Sequence, residues 1–267
     1  MQYIITLTPG SGIGSIVIGL VNALSYMRTN NINSQLLINI NKASTPGSAL
    51  FTSFLDLDKI SFLKIVNIPI NVILNKETKR HDVITPGNYT DLWYRPISQQ
   101  NYSFYMKCKI FDSFWLMKPD IDNYLKIHTN EYKSTDVCIN IRRGDKVKLE
   151  PHLNQGSVQE FIDAVEKIPD VKTVFHTSDD YSTYLEFKNK KPEWNINTFC
   201  TINDAGFFLK DLNELNHTNS TIINHVQKFL TELEIMKNAT WFIGTKTTNV
   251  GLMVELLRKN QKTIFIY

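Results

Sequence analysis

Cysteine is scarce in this sequence, and its three cysteines, Cys108, Cys138 and Cys200, are widely and irregularly spaced. An odd number at such spacing argues against a disulfide framework and against a zinc knuckle, and it is typical of a reducing compartment. Histidines and cysteines form no cluster with metal-ligand spacing. Two Asp-x-Asp sequences, at 56–58 and 120–122, follow no clear strand. We therefore expect a cytoplasmic protein that binds no metal.

Long apolar runs are also lacking. The longest candidate, residues 13–24, is interrupted by two glycines, a serine and an asparagine, and it is shorter than the roughly 20 residues of a membrane-spanning helix. Met1 is followed directly by Gln-Tyr-Ile-Ile-Thr-Leu-Thr, without the basic segment and small-residue cleavage site of a secretory signal. The sequence therefore predicts no membrane span and no export.

Neither sign of charge is in large excess. Lys and Arg number 29 against 26 Asp and Glu, a net charge of +3, which is too small to indicate a nucleic acid as partner. Apolar residues make up 42% and charged residues 21% of the 267 residues, as in a globular protein with a sizeable core. The length suits two modest domains or one large one.

The chain is predicted to open with a β-loop-α-β unit. Residues 3–7 and 36–40 have the apolar content of short strands, and residues 15–29 have the apolar spacing of a helix. The loop brings Gly12 and Gly14 to a helix N terminus, where backbone N–H groups can face an anion. A serine stands where Gly-x-Gly-x-x-Gly needs its third glycine, so we do not expect NAD binding.

Residues 42–130 have a weaker pattern. We expect a helix near 48–56 and strands near 64–74 and 82–85, followed by a stretch rich in aromatic residues at 93–115. The aromatic side chains could pack in a helical core or form a platform on which a sugar stacks. We favour core packing.

The second half of the chain alternates strands and helices regularly, which predicts a parallel doubly wound sheet. The expected strands are 137–141, 171–176, 195–199, 240–244 and 262–266, and the expected helices are 157–167, 181–190, 221–237 and 248–259. We therefore predict an N-terminal α/β domain at 1–130 and a C-terminal Rossmann-like domain at 131–267.

Paired arginines follow the first strand of this second half. Arg142 and Arg143 come directly after the apolar run at 137–141, and in open α/β sheets ligands bind at the carboxyl ends of the strands. The guanidinium fork matches phosphate oxygens and stays charged, so the pair suits a diphosphate. A surface turn is the alternative. We favour a site because the neighbouring loops are polar as well.

Two further loops at the same predicted edge are polar. Asp179 and Asp180 follow the second strand, where they could accept hydrogen bonds from a nucleoside. The alternative is that Ser178 or Asp179 caps the next helix. Thr247 and Thr248 stand between a strand and a helix, an arrangement that can hold phosphate. Their spacing is not that of a P-loop.

These loops resemble those of the fucosyltransferases that use GDP-fucose, especially the α1,6-fucosyltransferase family. The family's His-x-Arg-Arg-x-Asp-Lys segment, with a Glu four residues past the Lys, corresponds to residues 140–146 with Glu150. Its Thr-Asp-Asp loop corresponds to residues 178–180. Its last segment, an acid in a helix and then Thr-x-Ser-Ser after a strand, corresponds to Glu232 and residues 245–248.

The resemblance covers most of residues 136–258, and the opening loop with Gly12 and Gly14 resembles the family's first βα unit. It implies a GT-B-like α/β fold of two Rossmann-like units, of which the C-terminal one binds the nucleotide sugar and the N-terminal one faces the acceptor. It also implies transfer of L-fucose from GDP-fucose to a hydroxyl of a glycan acceptor, with inversion and without a metal. GDP-fucose would be the donor substrate, and no cofactor is expected.

Carried over by position, the resemblance assigns catalysis to three residues. Arg142 would bind the β-phosphate and stabilise charge as GDP leaves. Glu150 would take the proton from the acceptor hydroxyl, and Lys146 would tune that carboxylate by its charge. The donor-binding residues would be Gly12, Gly14, Asn140, Arg142, Arg143, Asp145, Asp179, Asp180, Glu232, Thr247 and Thr248.

Several positions depart from the family pattern. Asn140 stands where the family has His, Glu232 where it has Asp, and Thr247 and Thr248 where it has two serines. The sequence has no counterpart of the family's membrane anchor, coiled-coil stem and SH3-like module, so the acceptor does not follow from the resemblance. Transfer from another GDP-sugar, transfer to a peptide hydroxyl, and an inactive module that binds a nucleotide sugar or a glycan stay open.

Overall fold

The structure is a computed structural model that describes residues 2–6, 12–39, 54–66, 71–75, 80–84, 89–92, 102–144, 147, 155–206 and 220–266. These residues fall into two compact units, one up to Lys118 and one from Pro119 onward. Residues 119–130, which were predicted to belong to the first domain, are part of the second unit. Among the residues described, no helix is both long and apolar enough to cross a membrane.

The first unit has six strands among its described residues: β1 (Gln2–Thr6), β2 (Leu36–Asn39), β3 (Leu63–Val66), β4 (Asn71–Asn75), β5 (Arg80–Ile84) and β6 (Tyr89–Asp91). Four of them form a sheet in the order β3-β2-β1-β6, in which every pairing is parallel. Helix α1 (Ile13–Thr29) connects β1 to β2, as a parallel pair requires. The predicted β-loop-α-β opening is therefore confirmed.

The middle of the first unit differs from the sequence prediction. The strand expected at 64–74 is two strands, β3 in the parallel sheet and β4 in an antiparallel pair with β5. Pro69 lies between them in the sequence, and proline cannot donate to a sheet ladder. Strand β6 was not predicted. The helix expected near 48–56 falls almost entirely outside the described residues.

Helix α2 (Phe104–Phe114) carries most of the described part of the aromatic stretch. It begins after Ser103, whose hydroxyl accepts a hydrogen bond from the N–H of Met106 at 3.2 Å, which is the usual helix cap. Phe111 and Phe114 are fully buried, and Phe111 stacks on Trp115 with ring centroids 5.2 Å apart. Core packing is confirmed for these residues, and the part of the stretch at 93–100 lies outside the described residues.

The second unit has the strands β7 (Val137–Ile141), β8 (Thr173–Ser178), β9 (Asn195–Asn197), β10 (Trp241–Thr245) and β11 (Thr263–Ile266), and the helices α3 (Pro119–His128), α4 (Val158–Glu166), α5 (Tyr181–Lys190), α6 (Ser220–Asn238) and α7 (Asn249–Arg258). The sheet order is β11-β10-β7-β8-β9, and every pairing is parallel. The predicted parallel sheet is confirmed, and most of its boundaries are correct to within two residues.

The two faces of this sheet carry different side chains. Val137, Ile139 and Ile141 of β7 share a buried apolar cluster with residues of α4 and α5. Because side chains alternate along a strand, Cys138 and Asn140 lie on the opposite face, against which α6 packs. The polar residue of this face therefore sits at the carboxyl end of β7, next to the loop with the two arginines.

Helix α3 was not predicted, although its sequence has start and stop signals. Pro119 occupies the first turn, Asp120 and Asp122 are also in the first turn, and Lys126 and His128 are in the last. Proline suits that position, and the charges suit the helix dipole. The Asp-x-Asp sequence at 120–122 is therefore part of a helix start, where Asp122 pairs with Lys126 at 2.5 Å.

Candidate functional site

Three polar loops meet at the carboxyl edge of the second unit's sheet. Strands β10, β7 and β8 are neighbours in that order, and they run parallel, so their carboxyl ends lie at the same edge. Arg142 follows β7, Asp179 follows β8 and Lys246 follows β10. The sequence prediction that the arginine, aspartate and threonine loops are adjacent is therefore consistent with the sheet order.

The carboxylate of Asp179 holds the arginine loop at two points. One oxygen forms an ion pair with Nη1 of Arg142, and the other accepts a hydrogen bond from the backbone N–H of Arg143 at 2.7 Å. The side chains of Arg142 and Asp179 keep 22% and 12% of their surface exposed. These contacts orient the guanidinium that was predicted to bind phosphate. The predicted position of Asp179 beside a nucleoside stays a prediction.

The guanidinium of Arg143 contacts backbone carbonyls. Its Nη1 donates to the carbonyl of Arg142 at 3.1 Å, and its Nη2 donates to the carbonyl of Gly156 at 2.9 Å. Burial lowers the pKa of Arg143 from its ordinary value, and the nearby carboxylates of Asp179 and Asp180 oppose that shift. Arg143 therefore joins the loop after β7 to the residues that precede α4.

Asn140 has a defined orientation beside the arginines. Its Nδ2 donates to Oγ1 of Thr177 at 2.9 Å, and that hydroxyl donates to the carbonyl of Ile139 at 2.9 Å. Asn140 and Thr177 are paired in the register of β7 and β8. This chain of hydrogen bonds directs the amide nitrogen toward β8 and leaves the amide oxygen as the group that a ligand can use.

Asp180 caps the N terminus of helix α5. Its Oδ1 accepts hydrogen bonds from the N–H of Ser182 at 2.9 Å and from its hydroxyl at 2.7 Å. An isolated bridge pairs Asp180 with Ala205, and the N–H of Gly206 donates to the carbonyl of Asp179 at 2.7 Å. A cap is therefore observed at this helix, but Asp180 forms it rather than Ser178 or Asp179 as expected, and it fixes the loop that presents Asp179.

The segment that ends at Gly206 is attached to helix α6 as well. Asp204 accepts from the N–H of Thr201 at 2.7 Å and from Nζ of Lys228 at 3.2 Å. Burial is the largest single influence on the pKa of Asp204 and raises it. The hydrogen bonds from Thr201 and Lys228 and the charge of Lys228 together outweigh burial, so the pKa is lowered. The residues 201–206 were not predicted from sequence to take part in the site, because no motif marks them.

The loop after β10 forms the start of helix α7. The hydroxyl of Thr248 accepts from the N–H of Gly251 at 3.0 Å, which is a helix cap. A Cβ at Gly251 would lie 2.1 Å from the carbonyl oxygen of Thr245, so only glycine fits there. The hydroxyl of Thr247 lies 3.5 Å from Oε1 of Gln155. Thr248 is therefore occupied as a cap, and Thr247 is the more accessible of the two.

Glu232 is a buried carboxyl on helix α6. It is 9% exposed, and Oε1 has no hydrogen-bond partner among the described residues. Burial raises its pKa to about 8; Lys228 lowers the pKa, while Asp204 and Asp179 raise it. Burial raises the pKa of the Cys138 thiol, and the charge of Glu232 raises it further. Helix α6, which carries this carboxyl, packs against β7.

This carboxyl leads to a prediction about stability. Because its pKa is raised above the ordinary value of 4.5, the folded state binds more protons than the unfolded state between about pH 4.5 and 8, and stability falls as the pH rises through that window. Replacing Glu232 with glutamine should remove this loss. We expect the variant to gain on the order of 3 kcal/mol relative to the wild type between pH 5 and pH 8, measured by urea unfolding.

The matched control is Glu234→Gln on the same helix. Glu234 is a partly exposed carboxylate 3.0 Å from Lys237, so its replacement removes one carboxylate from the same helix without touching the buried position. Equal pH slopes for wild type and Glu232→Gln would contradict the raised pKa of Glu232.

Some predicted site residues are not part of this group. Asp145, Lys146 and Glu150 lie outside the described residues. Gly12 precedes α1 in extended conformation, and Gly14 is buried in its first turn; both belong to the first unit. The predicted placement of glycines at a helix N terminus is therefore observed for Gly12 and Gly14, whose role in donor binding stays a prediction.

The chemistry available at this edge suits an anion. Arg142 and Arg143 supply fixed positive charge, Thr247 supplies a hydroxyl, and the start of α7 supplies the positive end of a helix dipole. In the described part of the chain, no three side chains of His, Cys, Asp or Glu are grouped so that they could hold a metal ion.

No protein-family model and no curated protein matches this chain. Its fold, however, resembles solved structures. The NodZ α1,6-fucosyltransferase co-crystallised with GDP matches with a TM-score of 0.62 at 12% identity, over 96% of this chain and 92% of that chain. NodZ from Bradyrhizobium matches with a TM-score of 0.60 at 13% identity, over 96% of this chain and 92% of that chain. POFUT1 in complex with GDP-fucose matches with a TM-score of 0.57 at 10% identity, over 99% of this chain and 97% of that chain. The chain thus has the α/β fold with parallel sheets of these fucosyltransferase structures.

Proposed function

We propose that this protein is a glycosyltransferase that transfers L-fucose from GDP-fucose to a hydroxyl of a glycan acceptor. The observation that carries the proposal is the ion pair that holds Arg142 at the carboxyl edge of a parallel sheet. The fold supports it, because the proteins with similar folds were crystallised with GDP and GDP-fucose. We further propose a GT-B-like arrangement, in which the second unit binds the nucleotide sugar and the first unit faces the acceptor.

Arg142 would act on the leaving group. When the bond between fucose and the β-phosphate breaks, negative charge builds up on the phosphate oxygens, and a guanidinium already held in place stabilises that charge without reorganisation. Asp179 keeps Arg142 in place through its ion pair. Fixed cations would then do the work that a divalent metal does elsewhere, which is why we propose a metal-independent reaction.

The nucleoside would bind on the face of β7 that carries Asn140. Its amide oxygen is available as an acceptor because Nδ2 is engaged by Thr177. The unpartnered Oε1 of Glu232 on the adjacent helix α6 is a second acceptor, and the N–H groups of a guanine are donors. Asp180 would support this region through the cap of α5. Thr247 would donate to the phosphates.

The test is a binding and transfer panel with nucleotide sugars. We expect GDP and GDP-fucose to bind more tightly than the corresponding uridine and adenosine nucleotides, and transfer to an array of glycans and peptides to proceed equally with and without EDTA. Stereochemistry of the product would report inversion. Preference for another nucleotide sugar, loss of activity with EDTA, or binding without any transfer would each contradict the proposal.

Replacing Glu150 with glutamine tests the proposed base. Glutamine has nearly the same shape but cannot take a proton, so transfer should fall by roughly 10²–10⁴-fold, while GDP binding stays within about threefold of the wild type. Lys146→Met should lower transfer as well, because Lys146 is proposed to tune that carboxylate. Rates are measured at saturating GDP-fucose. Full turnover by Glu150→Gln would assign the base to another residue.

A further inference from the structure

Gln155 was not among the site residues predicted from the sequence. Its side chain is buried, and its amide N–H group has no hydrogen-bond partner among the described residues. The residue is 7% exposed, and the donor atom is Nε2. A buried amide N–H without a partner costs free energy. Such a group is retained at a cost to stability, and it is a candidate for contact with a ligand.

The surroundings place Gln155 beside the proposed phosphate site. Its Oε1 lies 3.5 Å from the hydroxyl of Thr247, which is only partly buried at the carboxyl end of β10. Arg143 reaches the next residue, donating to the carbonyl of Gly156 at 2.9 Å. A ligand that contacts Thr247 would therefore be within reach of Gln155 after a change of side-chain rotamer, because no described group holds Nε2.

Gly156 fixes the backbone next to Gln155. Its φ is +71°, in the left-handed region that favours glycine, and a Cβ there would lie 2.9 Å from the ring of Phe161 and 3.0 Å from Ile266. The next residue, Ser157, forms the capping box of α4 with Glu160. The position of Gln155 is thus set by its neighbours, and only its side chain is left to turn.

A second unpartnered polar atom lies on the same flank of the sheet. Thr245 is 1% exposed, and its Oγ1 also has no partner among the described residues. Alternation along β10 puts Thr245 on the face of Ile243, which packs in the apolar cluster that includes Phe161 of α4. Gln155 leads into α4, so both unmet groups lie on the α4 side of the phosphate site.

The groups around Gln155 are hydrogen-bond donors. Arg143 is a cation, Thr247 has a hydroxyl, and the start of α7 presents backbone N–H groups. The hydrogen bond of Gln155 among these groups joins its Oε1 to the hydroxyl of Thr247. Several donors close together suit an anionic oxygen rather than a sugar hydroxyl, which needs an acceptor as well.

We infer that Gln155 is a further donor-binding residue, whose Nε2 donates a hydrogen bond to an oxygen of the diphosphate in the nucleotide sugar. The inference rests on the proposed function, since it takes the same site and adds a contact on its α4 side. A neutral amide complements the two arginines here, because it adds a directed donor to the phosphate without adding a further charge.

The test compares Gln155→Leu with Gln159→Leu. Leucine keeps the approximate volume of glutamine and removes the amide, and Gln159 is an exposed residue of α4 that hydrogen-bonds Asp163. Dissociation constants for GDP and for inorganic pyrophosphate are measured by calorimetry, and the melting temperature is measured without ligand. We expect Gln155→Leu to weaken both ligands by roughly 10- to 100-fold, the value of a hydrogen bond to a charged group, and to melt no lower than the wild type. Gln159→Leu should bind both as the wild type does.

The outcomes separate the possible roles of Gln155. Unchanged dissociation constants for Gln155→Leu would overturn the inference, and so would a lowered melting temperature, since that would mean that the amide is bonded inside the fold. Pyrophosphate has no nucleoside. A wild type that binds pyrophosphate but not GDP would therefore contradict the proposed function, while the effect of Gln155→Leu on pyrophosphate would still decide the inference. A wild type that binds neither would overturn both.

Discussion

Replacing Arg142 with alanine is expected to lower the rate of fucosyl transfer by roughly 10²–10³-fold, which corresponds to about 2.7–4 kcal/mol of transition-state stabilisation. The reason is that the guanidinium is held in advance by Asp179 at the edge where the diphosphate would lie. Lysine at this position keeps the charge but loses the planar fork, so Arg142→Lys should recover only part of the rate. Rates are measured at saturating GDP-fucose, and GDP affinity is measured separately.

The matched control is Arg28→Ala, which removes an exposed arginine from the last turn of α1. It should leave transfer unchanged. An Arg142→Ala enzyme with near-normal activity would exclude the proposed donor site. An unfolded variant is recognised by its melting temperature, and Arg142→Lys then decides the question, because lysine retains a long side chain and a positive charge for Asp179.

Replacing Arg258 with methionine is expected to lower the free energy of unfolding by roughly 3–5 kcal/mol. Arg258 is 7% exposed at the end of α7, and burial lowers its pKa from the ordinary value. Its guanidinium donates to backbone carbonyls at 2.7–3.5 Å, those of Met236, Lys237, Ala239, Thr240, Gln261 and Lys262. Without it, the last carbonyls of α6 would be buried without a donor.

Several of these carbonyls belong to the end of α6, where a cation also suits the helix dipole. Methionine keeps an apolar stem of similar length, so the comparison isolates the guanidinium. Arg28→Met serves as the control on an exposed helix end and should change stability by less than about 0.5 kcal/mol. Stability is measured by urea unfolding at constant m-value. A loss below 1 kcal/mol for Arg258→Met would mean that water replaces the guanidinium at little cost.

The alternation of strands and helices in the second half was predictable because each element carries its own local signal. Strand β7 and helix α5 have the predicted bounds, since an apolar run and a helical spacing are properties of consecutive residues. Helix α3 was missed despite Pro119 and the acids after it, because its apolar face is short and only Leu125 is buried. The division of 64–74 into β3 and β4 depends on pairing with different strands, which no local pattern contains.

The candidate site was predictable in part. Arg142 and Arg143 were predicted as site residues because they follow the end of a strand, and the loops after parallel strands lie at one edge of the sheet. The partners were not predictable: Asp179 is separated from Arg142 by 36 residues of intervening chain, and nothing in the spacing tells that its carboxylate would contact both arginines rather than a nucleoside. Gln155 carries no motif, and only burial distinguishes it from the exposed Gln159.

By itself, the sequence determined the class of the fold and the charge of the site, because periodicity and residue type are local properties. The tertiary structure decided which of the charged groups act as partners of one another. Sheet order and register brought Asp179 to the arginines, and packing of helices and loops on the sheet brought Lys228 to Asp204 and Thr247 to Gln155. Burial decided the rest, since the raised pKa of Glu232 and the unmet donor of Gln155 arise from the removal of water by residues distant in the chain.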